Sequence, residues 1–391
     1  MSRLPIVQRV DDPEVLDLGW GHPDPALLPL ERIRRAAERA LERHGSDALE
    51  YGNVSGPGPL LEWLMARIEA REGRRPGPEE LLITGGISAG LDLALGALTH
   101  PGETALIESP TYYLAIRILR DRGLDLVAAP MDEGGIQLGP LEEKIHQLKR
   151  AGRPPRVLYT VPTFNNPTGI SLAAERRAAL LELAHREDLT LLEDDVYREL
   201  AYDAPAPPSL WSLDSQGVVV RLGSFSKSLA PGLRLGWLSA PAKLVQGLVQ
   251  GGLLDSSGGV NHFTALIVAA LCSAGDFDPH VEGMRQAYRS RRDALVETLR
   301  AALPATCAFQ VPGGGFFLWM ALPPELDAFD VLTAAEAAGM SFFPGERFYT
   351  EGGGRNQLRL TFTLYPETQL REAAQRLAES IRVTGGAGGR A

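Results

Sequence analysis

From residue 80 to about residue 240, short apolar runs alternate with stretches whose apolar positions recur every three or four residues. The runs are Leu81–Thr84, Ala105–Glu108, Val157–Thr160, Leu189–Glu193, Val218–Leu222 and Leu235–Ser239. Between several of them the spacing predicts helices, as over Ile87–Leu98 and Ala173–Arg186. Unbroken apolar strands alternating with amphipathic helices predict a mostly parallel sheet covered on both faces. After residue 240 the rhythm changes. Helical patterns cover 241–254, 262–274 and 280–303, and strand-like runs follow at Phe316–Met320 and Gln357–Phe362. Further helices are expected near 328–338 and 367–382. This half reads as a smaller α+β unit. The expected organisation is a segment 1–40 packing beside the small unit, a large domain over 41–260, a small domain over 261–383 and a disordered Gly-rich tail over 384–391.

Composition narrows the function classes. A chain of 391 residues accommodates two domains. Its net charge of -10 argues against nucleic acid, whose phosphates call for a basic surface. No apolar run reaches the roughly 18 residues of a membrane-spanning helix, and the opening MSRLPIVQRVDD lacks the apolar core of a signal peptide. A cytoplasmic protein with Cys272 and Cys307 reduced is expected. The 7 histidines form no HxxxH-type cluster, so no metal site is expected. Among 39 basic residues the only lysines are Lys144, Lys149, Lys227 and Lys243. Where Arg serves nearly every positive charge, a retained Lys points to amine chemistry.

Polar residues collect where the predicted strands end, the edge at which an open α/β sheet binds ligands. Ser224-Phe-Ser-Lys227-Ser-Leu-Ala-Pro-Gly-Leu-Arg234-Leu-Gly follows one apolar run. Its hydroxyls and guanidinium suit a phosphate, and its Lys can form an imine with an aldehyde cofactor. Thr84-Gly85-Gly86-Ile87-Ser88 joins a strand to a helix, so backbone N–H groups can face an anion. Glu193-Asp194-Asp195-Val-Tyr197 ends another strand with two adjacent carboxylates. Asn165-Asn166-Pro-Thr-Gly169 lies beyond a third. Each segment alone passes for ordinary turn chemistry. Their order and spacing decide the matter.

Together these segments resemble the fold-type I aminotransferases that depend on pyridoxal 5′-phosphate (PLP), class I/II, and within them the kynurenine/2-aminoadipate branch. The resemblance runs from about Gly19 to Phe362. It implies an α/β fold with a seven-stranded-type, mostly parallel sheet and a smaller α+β domain. It also implies that Lys227 holds the PLP aldehyde, and that Asp194, three residues before Tyr197, faces the pyridine nitrogen with Asp195 secondary. Asn166 and Tyr197 then bond the ring's 3-oxygen, and Tyr112 stacks on the ring. Ser224, Ser226, Arg234 and the N–H groups of Gly86, Ile87 and Ser88 take the phosphate, with Tyr51 reaching in from the neighbour of a homodimer. Arg359, Gly21 and Asn166 take the substrate α-carboxylate. The phosphate turn departs from the family's frequent Gly-Ser-Gln, which leaves open whether Ser88 replaces the missing hydroxyl. The stretch before Gly19 also looks short.

The implied reaction is transamination between an L-amino acid and a 2-oxo acid, with a 2-oxoglutarate-type acceptor. The donor is aromatic, 2-aminoadipate-like or otherwise apolar; Trp20, Tyr112, Phe316 and Phe317 are candidates to line its pocket. No second Arg is placed for a side-chain carboxylate. Two alternatives stand beside this reading. One is lyase or decarboxylase chemistry on the same scaffold, since the Cα bond that breaks is a matter of geometry. The other is a non-catalytic regulatory domain of the same fold, against which stands the lack of room for a winged helix before residue 19.

Overall fold

The computed structural model describes residues 7, 8, 12 and 14–387. Its centre is an eight-stranded sheet. In order across it lie Leu81–Thr84, Gly236–Ser239, Val219–Ser224, Thr190–Asp194, Pro155–Thr160, Thr104–Ser109, Asp125–Asp132 and Gly135–Ile136. The five strands from Val219–Ser224 to Asp125–Asp132 run parallel, and Gly236–Ser239 is antiparallel to both its neighbours. These runs are buried along nearly their whole length because helices cover both faces; within these four strands only Arg156 is exposed. All six apolar runs seen in the sequence form strands of this sheet.

Asp125–Asp132 is the longest strand that periodicity missed. Only Ala129 within it is buried, and Pro130 interrupts it. Both features follow from its place near the edge, where only the two-residue strand Gly135–Ile136 lies outside it.

The second unit is an antiparallel sheet in the order Ala308–Phe309, Phe317–Ala321, Gln357–Thr361 and Phe343–Pro344. The helices Phe277–Ala302, Ala328–Ala337 and Glu367–Ala387 contribute Tyr288, Val331 and Leu377 to its core. The strand Leu16–Asp17 pairs in parallel with Met340–Ser341, and the carbonyl of Leu18 accepts from the N–H of Thr361. This pairing carries the chain past residue 18 along the seam between the two sheets.

Four expectations change. The helix Leu30–His44 sides with the large unit, burying Ala36 and Ala40 in the same core as Leu60 and Leu266. So does His262–Ser273, which sequence spacing assigned to the small domain. Seven of its residues are buried, and a helix apolar on most sides belongs inside a core. The last helix continues to Ala387, so residues 384–387 of the expected tail are helical, and 388–391 lie outside the described residues. The stretch 241–254 forms two helices, Ala242–Val249 and Gly252–Ser257, parted at Gln250-Gly251. No helix among the described residues is long and apolar enough to cross a membrane.

Candidate active site

Strand direction brings the polar segments together. Thr104–Ser109, Pro155–Thr160, Thr190–Asp194 and Val219–Ser224 all end on one edge of the sheet, and the order reverses beside Thr104–Ser109. That is the position at which open α/β sheets take ligands.

Lys227 lies in the loop after Ser224, half-buried, with its Nζ donating to the carbonyl of Gly21 at 2.7 Å. Burial, then the positive charges of Arg359 and Arg234, push its amine down to about 8. Gly21 is required here. A Cβ at that position would fall 2.4 Å from Cζ of Phe317.

Asp194, 4% exposed, accepts from the Tyr159 hydroxyl at 2.7 Å through Oδ2, while its Oδ1 has no partner. Burial raises its carboxyl to about 6. Tyr197 is buried, and its hydroxyl is pushed well up, chiefly by burial. Tyr112 precedes the helix Tyr113–Asp121, and burial pushes its hydroxyl up as well.

Arg359 joins the two sheets. Its Nη1 donates to Asn166 Oδ1 at 2.7 Å and its Nη2 to the carbonyl of Gly19, while its Nε is unpartnered. The guanidinium lies 4.0 Å from the Phe317 ring centroid and 4.8 Å from that of Phe348. Among the described residues it has no carboxylate partner, although it is only 2% exposed. Burial lowers it to about 10, so it is still charged at neutral pH. A buried cation held by neutral groups is costly until an anion joins it.

On the other side of Lys227, Gly86 has φ 94° and caps the helix Ile87–Leu98, so this turn presents the helix N-terminus with Ile87 and Ser88 as its first residues. Arg234 lies against it, donating from Nη2 to the Gly85 carbonyl at 3.2 Å and from Nη1 to Ser226 Oγ at 3.5 Å. The Ser226 N–H donates to Ser224 Oγ at 3.0 Å. The sequence-predicted residues therefore form one cluster, with two exceptions. Tyr51 is 83% exposed on the outside of the chain. Asp195 turns away from the cluster: Arg221 Nη2 lies 2.7 Å from its Oδ2 and 2.6 Å from Glu72 Oε1. Although burial opposes ionisation of Glu72, Arg221 and Arg198 together bring it down to about 2. Asp195 is a structural ion partner.

Sequence reasoning missed two supports. Glu108, fully buried, accepts from the Val161 N–H at 2.8 Å and from Asn165 Nδ2 at 2.9 Å, which fixes the loop carrying Asn166. Burial raises its carboxyl to about 7. Tyr159 is the other, through Asp194. The available signal was a Glu at the end of an otherwise apolar strand, which burial disfavours unless it is bonded. One His/Glu group, Glu142, His146 and Glu187, has the spacing for a metal ion. Lys149 Nζ already lies 2.8 Å from Glu187 Oε2, and Arg186 pairs with Glu142.

A large, mostly parallel sheet with a smaller α+β unit, and a half-buried Lys near an anion-ready turn and an unpartnered carboxylate, define a fold-type I PLP-dependent transferase. The family model "Aminotransferase class I and II" matches residues 13–377, and the chain belongs to that family. It is 33% identical over 382 residues to aromatic-amino-acid aminotransferase 1 of Thermococcus litoralis, covering 96% of this chain and 90% of that protein. It is 34% identical over 385 residues to the 2-aminoadipate transaminase of Thermus thermophilus, covering 97% and 92%. The crystal structure of Pyrococcus horikoshii kynurenine aminotransferase in complex with PMP aligns with a TM-score of 0.90 at 34% identity, over 95% and 91% of the two chains. The protein is a PLP-dependent aminotransferase. The site fits that cofactor: Asp194 Oδ1 is free for a ring nitrogen, and the Gly86 turn with Arg234 is free for a phosphate.

Proposed function

We propose that the chain moves an amino group from an L-amino acid that is aromatic, 2-aminoadipate-like or apolar to a 2-oxoglutarate-type acceptor, working as a homodimer. The observation that carries the substrate side is Arg359, a buried guanidinium without an anion, walled by Phe317, Phe343 and Phe348. The named relatives act on aromatic amino acids, kynurenine or 2-aminoadipate. Neither the lyase nor the regulatory reading is favoured beside them.

In this reading Lys227 binds the cofactor's aldehyde, and Ser224, Ser226, Arg234 and the N–H groups of Gly86, Ile87 and Ser88 bind its phosphate. Tyr51 of the neighbouring copy adds a hydroxyl. Asp194 holds the ring nitrogen protonated, and a positive ring in turn favours the ionised carboxylate that burial alone disfavours. Asn166 and Tyr197 bond the ring's 3-oxygen, and Tyr112 stacks on the ring. When bound, the cofactor supplies an electron sink that lets a proton leave the substrate Cα. Arg359, with Asn166 and the backbone of Gly21, grips the α-carboxylate and so fixes how Cα is presented. The amine of Lys227, pushed down by burial, would take the proton from the substrate Cα and deliver it to the cofactor instead of back to Cα, which leaves the amino group on the cofactor.

The test is a panel of amino donors, including phenylalanine, kynurenine, 2-aminoadipate and alanine, against 2-oxoglutarate and pyruvate. An aromatic or 2-aminoadipate donor with 2-oxoglutarate is expected to give the highest kcat/KM. Transfer from alanine alone overturns the aromatic and 2-aminoadipate-like part of the donor assignment, and no transfer from any donor overturns the reading.

A further inference from the structure

One cation beside the site, Arg347, lies outside the set that holds the cofactor and the α-carboxylate. Arg347 lies in the short turn Gly345–Phe348, directly after the strand Phe343–Pro344 that pairs with Gln357–Thr361. In that pairing Phe343 is the register partner of Arg359. The Arg347 guanidinium carbon sits 4.8 Å from the centroid of the Phe343 ring, and the Arg359 guanidinium carbon sits 5.1 Å from the same centroid. The turn is held in place. The N–H of Thr111 donates to the carbonyl of Phe348 at 2.9 Å, and Phe348 packs against Tyr113 and Arg359. Arg347 is exposed and, among the described residues, has no carboxylate partner. Two guanidinium groups thus share one aromatic ring, and among the described residues neither is paired with a carboxylate.

We infer that Arg347 is a specificity-determining residue that takes the distal carboxylate of a dicarboxylic 2-oxo acid, while Arg359 takes the α-carboxylate. The inference rests on the transamination reading and adds to it the residue that reads the acceptor's second carboxylate. The reach is adequate. Sharing one ring keeps the two guanidinium carbons within about 10 Å of each other. An extended five-carbon diacid places its carboxyl carbons about 5 Å apart, and each charge-assisted contact adds about 2.8 Å between heavy atoms. A dianion also relieves the repulsion between the two cations. After burial, the proximity of Arg347 is one of the causes that lower Arg359. The same pair accommodates the amino diacid formed from that acceptor. An aromatic donor lies along Phe343 and its edge-on neighbours Trp20 and Tyr113 without needing Arg347.

The experiment uses the cofactor-loaded full chain, with an amino donor held at saturation. It compares 2-oxoglutarate with 5-methyl-2-oxohexanoate, which has the same length and an isopropyl group in place of the distal carboxylate. Arg347→Met is expected to raise KM for 2-oxoglutarate about fivefold, the scale of one exposed ion pair. It should leave kcat, and KM for the isopropyl acceptor, within about twofold. Arg347→Lys should recover part of the loss for 2-oxoglutarate alone. An equal rise in KM for both acceptors, or none for 2-oxoglutarate, overturns the assignment. A wild-type protein that turns over neither acceptor overturns the transamination reading and this assignment with it.

Discussion

At the scale of single residues, the site rests on what burial does to charge. Lys227 has an amine lowered to about 8, below the ordinary lysine value of 10.5. Its free-base fraction therefore rises from about a tenth at pH 7 to about nine-tenths at pH 9 and then levels off. Capture of PLP by the cofactor-free protein should accelerate about tenfold over that interval and plateau above it. Stopped-flow absorbance reads this rate directly. A rate still climbing steeply between pH 9 and pH 10 means an ordinary lysine, and the predicted depression is wrong. Lys227→Ala should abolish covalent capture at every pH while keeping the fold. The residues legible in the sequence were those whose chemistry shows in a short motif: Lys227 among serines, Asp194 before Tyr197, Asn166 before Pro167. Glu108 and Tyr159 were not legible, because their partners Asn165 and Asp194 lie 57 and 35 residues away. Arg347 was illegible for another reason. Its relation to Arg359 runs through a ring on a neighbouring strand, and no spacing encodes that.

At the scale of elements, the glycine turn decides whether a phosphate finds a site. Gly86 has φ 94°, and a Cβ there would lie 2.7 Å from Arg234 Nη2. Gly86→Ala thus combines backbone strain with displacement of the guanidinium that faces the same turn. The expected result is a PLP dissociation constant raised on the order of tenfold, which corresponds to about 1.4 kcal/mol and lies within the range for such strain. Gly247→Ala is the control. Gly247 is exposed in the helix Ala242–Val249, nothing lies within 4 Å of an added Cβ, and the change should stabilise the fold by about 0.5–1 kcal/mol. Cofactor titration followed by absorbance separates the two, and a Gly86→Ala protein that binds PLP normally removes the turn from the phosphate site. Elements buried on both faces, such as Thr104–Ser109 and Val219–Ser224, were readable from apolar runs because every position in them is constrained. Asp125–Asp132 was not, since an edge relaxes the demand for apolar residues. Which core each helix joins was also unreadable, as His262–Ser273 shows: periodicity reports an apolar surface without saying what it meets.

At the scale of the whole molecule, the isolated chain leaves Tyr51 in an unusual position. It is 83% exposed and lies against Gly258, at the end of the helix Gly252–Ser257, on which Leu253 is 71% exposed; Leu49 nearby in sequence is 73% exposed. Apolar side chains gathered on one surface mark a contact with another protein, and in a twofold dimer the same patch meets itself. If Tyr51 serves the partner's phosphate site, two defective chains should repair each other. A Lys227→Ala chain lacks the amine but keeps its tyrosine, and a Tyr51→Ala chain keeps the amine but lacks the tyrosine. Unfolding and refolding an equal mixture makes half the dimers mixed, and each mixed dimer then holds one site with both groups native. Activity should return to about a quarter of wild type per site, well above that of either parent. If Tyr51 instead acts within its own chain, no combination contains an intact site, and the mixture shows only the diluted residual activity of Tyr51→Ala. The two outcomes differ in direction, so partial refolding cannot turn one into the other, provided that each parent refolded alone sets the baseline.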